Sequence, residues 1–135
     1  FSVNPLQPPT LYEESQFDLV YAFSVFTHLT SETQRGWLRE FSRIIAPDKY
    51  LMISVHGDFH AKLLPPELYD VYVRDGYAVT SESAEGENIC ASYQNREYCE
   101  ELFSKDFQVL DYLPSALTSC GKQDLYLLKK KEFLG

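Results

Sequence analysis

Three histidines, His28, His56 and His60, are the side chains in this sequence best suited to moving a proton near neutral pH. An imidazole close to its ordinary pKa is largely unprotonated there and can act as a general base. His28 follows the apolar run Phe17–Ser24, and His56 closes the run Tyr50–Val55. These two are the catalytic candidates and His60 the weaker third; His28 has the alternative role of anchoring its loop to the segment that follows. A zinc site from His28, His56, His60 and Asp58 is conceivable, because imidazole and carboxylate both ligate zinc. Their spacing matches no standard metal-binding sequence, so no metal is expected. Cys90, Cys99 and Cys120 are widely separated and form no CxxC pair. Their odd number, in a chain long enough to build a core, suggests free thiols in a reducing compartment, with one disulfide left open. There is no GxSxG, no complete dinucleotide fingerprint and no P-loop, so other α/β enzyme classes have no motif behind them.

The elements that must position the histidines can be read from apolar periodicity. Phe17–Ser24 is nearly continuously apolar, as in a strand covered on both faces. Ser31 and Gln34 are spaced for a capping box, predicting a helix from about Glu32. Trp37, Leu38, Phe41, Ile44 and Ile45 then recur at helical steps, with Arg35, Arg39, Glu40 and Arg43 on much of the other surface. Pro47-Asp48-Lys49 punctuates the chain before the strand Tyr50–Val55. Strand, helix and strand in this order make a parallel pair joined by a right-handed crossover. Upstream, Phe1–Leu6 reads as the end of a strand stopped by Pro5, Pro8 and Pro9.

Downstream, residues 58–92 are less periodic and read as an insertion or lid, or alternatively as a short hairpin with solvated turns; Glu67–Arg74 is a short helix after Pro65-Pro66. Asn95–Lys105 is a helix capped by Ser92 or Asn95. Phe107–Leu113, closed by Pro114, and Asp124–Leu128 form an antiparallel pair, since nothing of crossover length separates them. Tyr93 and Tyr98, on the later helix, either reach a ligand pocket or face solvent or pack on the sheet; Trp37 is core.

The chain has 135 residues, enough for one domain, with a formal charge of −8. That charge disfavours nucleic acid and anionic membranes, and Lys129-Lys130-Lys131 reads as a solvated end. No run is long enough to span a membrane and no signal-peptide pattern is present, so cytoplasmic residence is the default.

The order of these segments resembles the C-terminal half of class I, Rossmann-like S-adenosylmethionine-dependent methyltransferases of the small-molecule type. The resemblance rests on Phe17-Asp18-Leu19-Val20, Ser24-Val25-Phe26-Thr27-His28-Leu29, Arg43-Ile44-Ile45-Ala46-Pro47, Leu51–Val55 and the closing strands Phe107–Leu113 and Gln123–Leu127. It implies an α/β fold: a partial Rossmann-like sheet of parallel strands with a C-terminal antiparallel hairpin, residues 1–135 forming one partial domain without the glycine-loop half. The family's glycine-rich turn and acidic ribose contact have no counterpart, and its usual Pro-Gly-Gly is reduced to Pro47-Asp48-Lys49. The cofactor implied is S-adenosylmethionine. Asn4 is expected near the adenine amino group, with a strand-end hydrogen bond as its alternative role. Pro5 and Leu6 border the ring, and Phe23 and Ser24 lie at the strand end, Ser24 toward the methionine part. The implied partner is a small-molecule methyl acceptor. The intact parent is then a methyltransferase, with this chain inactive alone and a homodimer through an exposed sheet edge conceivable. The alternative is a noncatalytic methyltransferase-like interaction module.

Overall fold

The computed structural model describes residues 2–132. Strand β1 (Phe17–Ala22) leads through a 3₁₀ turn at Phe26–His28 into α1 (Ser31–Ile44), which passes directly into β2 (Ile45–Val55). Two helices follow, α2 (Asp58–Ala61) and α3 (Pro66–Asp75), then the strands β3 (Tyr77–Thr80) and β4 (Ala91–Gln94). Helix α4 (Arg96–Phe103) precedes β5 (Phe107–Leu117) and β6 (Gln123–Lys130). The main sheet has the order β1-β2-β6-β5, with β1 and β2 parallel and β6 antiparallel to both β2 and β5; β3 and β4 form a separate antiparallel ribbon.

The sheet is covered on one face. Leu51, Ile53, Val55, Tyr126 and Leu128 join Trp37, Leu38, Phe41 and Ile44 of α1 and Cys99 and Phe103 of α4 in a single buried cluster. The register places Leu19 opposite Tyr50, Tyr21 opposite Met52, and Met52 opposite Leu127. Leu19 and Tyr21 are 49% and 66% exposed. The apolar run Phe17–Ser24 is therefore not covered on both faces: β1 is an edge strand whose outer side is open.

Four local expectations are corrected. Ser2–Pro5 has no regular structure and Leu6–Pro8 is bent, so no strand end is found there; Phe1 lies outside the described residues. This segment has no strand beside it and is tied by side chains to α1 instead. The Trp37 indole N–H donates to Leu6 O (2.8 Å), and the Thr10 N–H and O–H donate to Glu40 Oε1 (2.8 and 2.6 Å). The cap of α1 is Thr30, whose side chain accepts from the Thr33 N–H, rather than Ser31. Gln34 points inward and donates to Phe26 O (3.0 Å) and Gln94 Oε1 (2.7 Å). Pro47-Asp48-Lys49 lies within β2: Asp48 takes φ 63° beside a register shift between Phe17 and Leu19, so the turn residues serve a bulge. Pro114 does not close β5, which continues to Leu117; as an edge strand it tolerates a residue without an N–H.

Residues 58–92 hold α2, α3, β3 and the start of β4, with β3 and β4 paired as a hairpin. Its tip is pinned to the start of α1, where the Gly86 N–H donates to His28 O (2.8 Å) and the Thr30 N–H and O–H both donate to Glu85 Oε1 (2.8 Å each). Asn95 caps α4, accepting from the Tyr98 N–H (2.8 Å).

Candidate active site

The carboxyl ends of β1 and β2 are locked to β6 by a closed ring of hydrogen bonds. The Ser24 N–H donates to Ser54 Oγ (2.8 Å), the Ser54 hydroxyl donates to Gln123 Oε1 (2.7 Å), and Gln123 Nε2 donates to Ser24 Oγ (2.8 Å). Ser24 has φ 55°, a conformation an L residue rarely holds without such support. Ser54 is fully buried and Gln123 nearly so, and the ring gives each side chain a partner.

Beside β1 lies a groove of about 570 Å³ whose walls include Asn4, Pro5, Leu6, Ser24 and His28, with Trp37 and Phe41 at its floor. Five of the seven predicted site residues thus share one surface. Phe23 is not on it; its ring packs on Tyr21, centroids 5.2 Å apart. No Asp or Glu lines the groove.

The seventh residue, His56, lies against β4. One edge of β4 pairs with β3, and the other faces the end of β2, where the Gln94 N–H donates to His56 O (2.8 Å). On that second edge the His56 Nδ1 meets Ser92 O at 3.2 Å and the His28 Nδ1 meets Cys90 O at 2.8 Å. His28 thus ties its loop to the hairpin, through Nδ1 at Cys90 O and through its own carbonyl, which accepts from the Gly86 N–H. Tyr93 belongs to β4 rather than to the helix and stacks on His56 (5.2 Å between centroids), while Tyr98 stacks on Tyr77 (5.3 Å). His60 also packs on His56, at 4.4 Å. Burial lowers the pKa of His56 to about 4, helped by the neighbouring His60 and His28 and opposed by Ser92. His60 is likewise lowered, chiefly by burial, against the backbone at Gly121 and the charge of Asp124.

Beneath the histidines, Asp124 is 3% exposed and accepts from the Ser115 N–H (2.8 Å) and the Tyr112 hydroxyl (3.0 Å). Burial raises its pKa despite those two bonds. It also presses on Gly57, where an added Cβ would stand 1.9 Å from Asp124 Oδ2. Asp58 accepts from the Tyr72 hydroxyl (2.6 Å). Among the described residues no group of three or more His, Cys, Asp or Glu is placed to hold a metal ion, and no helix is long and apolar enough to cross a membrane. Cys90 and Cys99 are buried free thiols; the side chain of Cys120 lies outside the described residues.

No family model and no curated protein matches the chain by sequence. Solved structures do match its shape. A SAM-dependent methyltransferase of Methanosarcina mazei superposes with a TM-score of 0.69 at 16% identity, over 98% of this chain and 68% of that one. The fold is that of the class I, Rossmann-like methyltransferases. A Burkholderia thailandensis 1,6-didemethyltoxoflavin-N1-methyltransferase, solved with 1,6-didemethyltoxoflavin and S-adenosylhomocysteine, gives 0.65 at 15% identity, over 90% of this chain and 47% of that one. An N-methyltransferase of Bradyrhizobium japonicum gives 0.53 at 13%, over 94% and 56%. The chain thus spans roughly half to two-thirds of the methyltransferase-fold chains it matches.

Sequence reasoning missed Ser54, Gln123, Ser92, Gly57 and Asp124. The first two are ordinary strand residues until the sheet brings β1, β2 and β6 together. Cys90 acts through its backbone carbonyl, which side-chain identity does not encode, and Ser92 both through its carbonyl and through a hydroxyl that donates to Phe26 O. Gly57 directly after His56 was a visible signal for a close approach.

Proposed function

We propose that the intact protein is a cytoplasmic enzyme that transfers a methyl group from S-adenosylmethionine to a small-molecule acceptor. The observation that carries this reading is the meeting of Asn4, Pro5, Leu6, Ser24 and His28 on one groove that runs along β1 to its carboxyl end, where ligands bind in open α/β sheets. The groove has the volume of a small-ligand site. Its apolar walls around Leu6 suit an adenine ring, Asn4 suits the adenine amino group, and Ser24 suits the polar methionine end. The residues present thus fit those parts of the cofactor, while a carboxylate for the ribose and a glycine-rich turn would come from upstream chain.

When bound, the cofactor supplies an electrophilic methyl group. The chain's own residues position the acceptor: the Ser24–Ser54–Gln123 ring holds the end of β1, and the half-buried stack of His56 and Tyr93 lines the acceptor side. Alignment of that kind supplies much of the acceleration of a group transfer. His28 is the candidate base for an acceptor that retains its proton, with His56 beside it.

On this reading the 135 residues alone bind cofactor weakly or not at all. The open side of β1 is where upstream strands, or a second copy of the chain, would pair. Calorimetric titration of S-adenosylmethionine and S-adenosylhomocysteine into the intact protein and into this chain tests it. Binding to the intact protein only is expected. Stoichiometric binding to the isolated chain would overturn the division of the site, and absence from both folded samples would favour a noncatalytic module, a second reading that the carboxylate-free groove supports.

A further inference from the structure

The carbonyls of Cys90, the residue before β4, and Ser92, within it, are two residues apart and meet histidine rings on the same edge. Each takes one imidazole, His28 at 2.8 Å and His56 at 3.2 Å, and in both contacts the ring atom is Nδ1. A carbonyl oxygen can only accept, so each Nδ1 must carry the hydrogen. In a neutral ring the lone pair then sits on Nε2. Neither Nε2 has a hydrogen-bond partner among the described residues.

We propose that the β4 edge fixes His28 and His56 in the same tautomer, so that the acceptor site presents two hydrogen-bond-accepting Nε2 atoms and selects acceptors that arrive with their proton, as a neutral aromatic O–H or N–H, over anionic acceptors. The inference rests on the acceptor side of the proposed function. An anion would find no donor on either Nε2, in a chain whose formal charge is already −8. Tyr93, stacked on His56, and Phe59, edge-on to His60 at 5.3 Å and 41% exposed, offer apolar surface for a ring. The lowered pKa of His56 keeps it neutral, and therefore accepting, at pH 7. The titratable groups around the pair are His60, with Asp124 and Asp58 beyond it, Tyr93, and Glu82 and Glu85 near Cys90.

The test is ¹⁵N-resolved NMR of the histidine rings in the intact protein at pH 7, alone and with phenol, anisole or benzoate. Expected are Nδ1–H tautomers at both His28 and His56, and Nε2 shifts on adding phenol that anisole and benzoate do not reproduce. A hydrogen on Nε2 of either ring, or equal responses to all three probes, would overturn the proposal. His56→Asn keeps an N–H for Ser92 O and removes the acceptor at the Nε2 position. It should stay folded and bind phenol more weakly, as read from the shift at His28 against phenol concentration; an unchanged phenol affinity would likewise overturn the pairing. The readout needs no turnover: correct tautomers in a protein that binds no S-adenosylmethionine would leave this inference standing and sink the proposed reaction, and the converse result would do the reverse.

Discussion

The groove beside β1 and the histidine edge of β4 are neighbours built in different ways. The groove is walled by Leu19, Val20, Trp37 and Phe41, has no carboxylate, and adjoins a strand whose outer side is open. Around the histidines, by contrast, Ser92 O, Cys90 O, the Gln94 N–H and both carboxyl oxygens of Asp124 have partners inside the chain. The first surface is an apolar framework that further chain or a ligand would complete. In the second the backbone and carboxylate groups are already paired, since each left unpaired would cost about 1–3 kcal/mol, while His60 Nδ1 and the Nε2 atoms of His28 and His56 have no partner among the described residues.

The sharpest way to break the organised region is Gly57→Ala. The new methyl would overlap the Asp124 carboxylate, which Ser115 and Tyr112 hold in place. A loss of about 3 kcal/mol or more in chemical denaturation is expected, at the upper end for overpacking. A loss under about 1 kcal/mol would mean that the carboxylate moves freely and that the region is not rigid.

Acid should weaken the same region next. His56 would titrate near its ordinary 6.5 once unfolded, but takes a proton only at about 4 in the fold. Between those values the unfolded chain binds more protons. The contribution is therefore intact above about pH 6.5 and is lost as pH falls toward 4, by at most about 3 kcal/mol. His60, lowered in the same direction, adds to the loss. Denaturation midpoints measured across this window should fall with pH, and His56→Asn should flatten the fall. A profile identical in both proteins would detach His56 from the effect.

The smallest effect belongs to the open side. Tyr21→Ser, at a side chain 66% exposed, should change stability by no more than about 0.5 kcal/mol, whereas Ile53→Ala on the covered face should cost about 2–5 kcal/mol. If Tyr21→Ser costs as much as a core truncation, that side is covered in solution and the contrast between the two regions fails.

The sequence by itself determined β1, α1, β2, α3, α4, β5 and β6 and their order, because apolar period is local, but not α2 or the bent course of Leu6–Pro8. The apolar steps from Trp37 to Ile44 make α1 whatever surrounds it, and the short separation of β5 from β6 makes them antiparallel. Asn4, Pro5, Leu6, Phe23 and Ser24 came into view through the family resemblance, and His28 and His56 through their places after β1 and β2; five of the seven border one groove. What the sequence could not settle was burial: Phe17–Ser24 reads the same whether one face or two are covered, and only the position of β1 at the edge decides. Nor could it show that Gln34 turns inward, that Gln123 ties together Ser24 and Ser54, or that two backbone carbonyls next to each other along β4 dictate where the hydrogens of His28 and His56 sit. Those contacts join residues 30 to 99 positions apart, or belong to backbone atoms that every residue shares, so only the tertiary structure selects them.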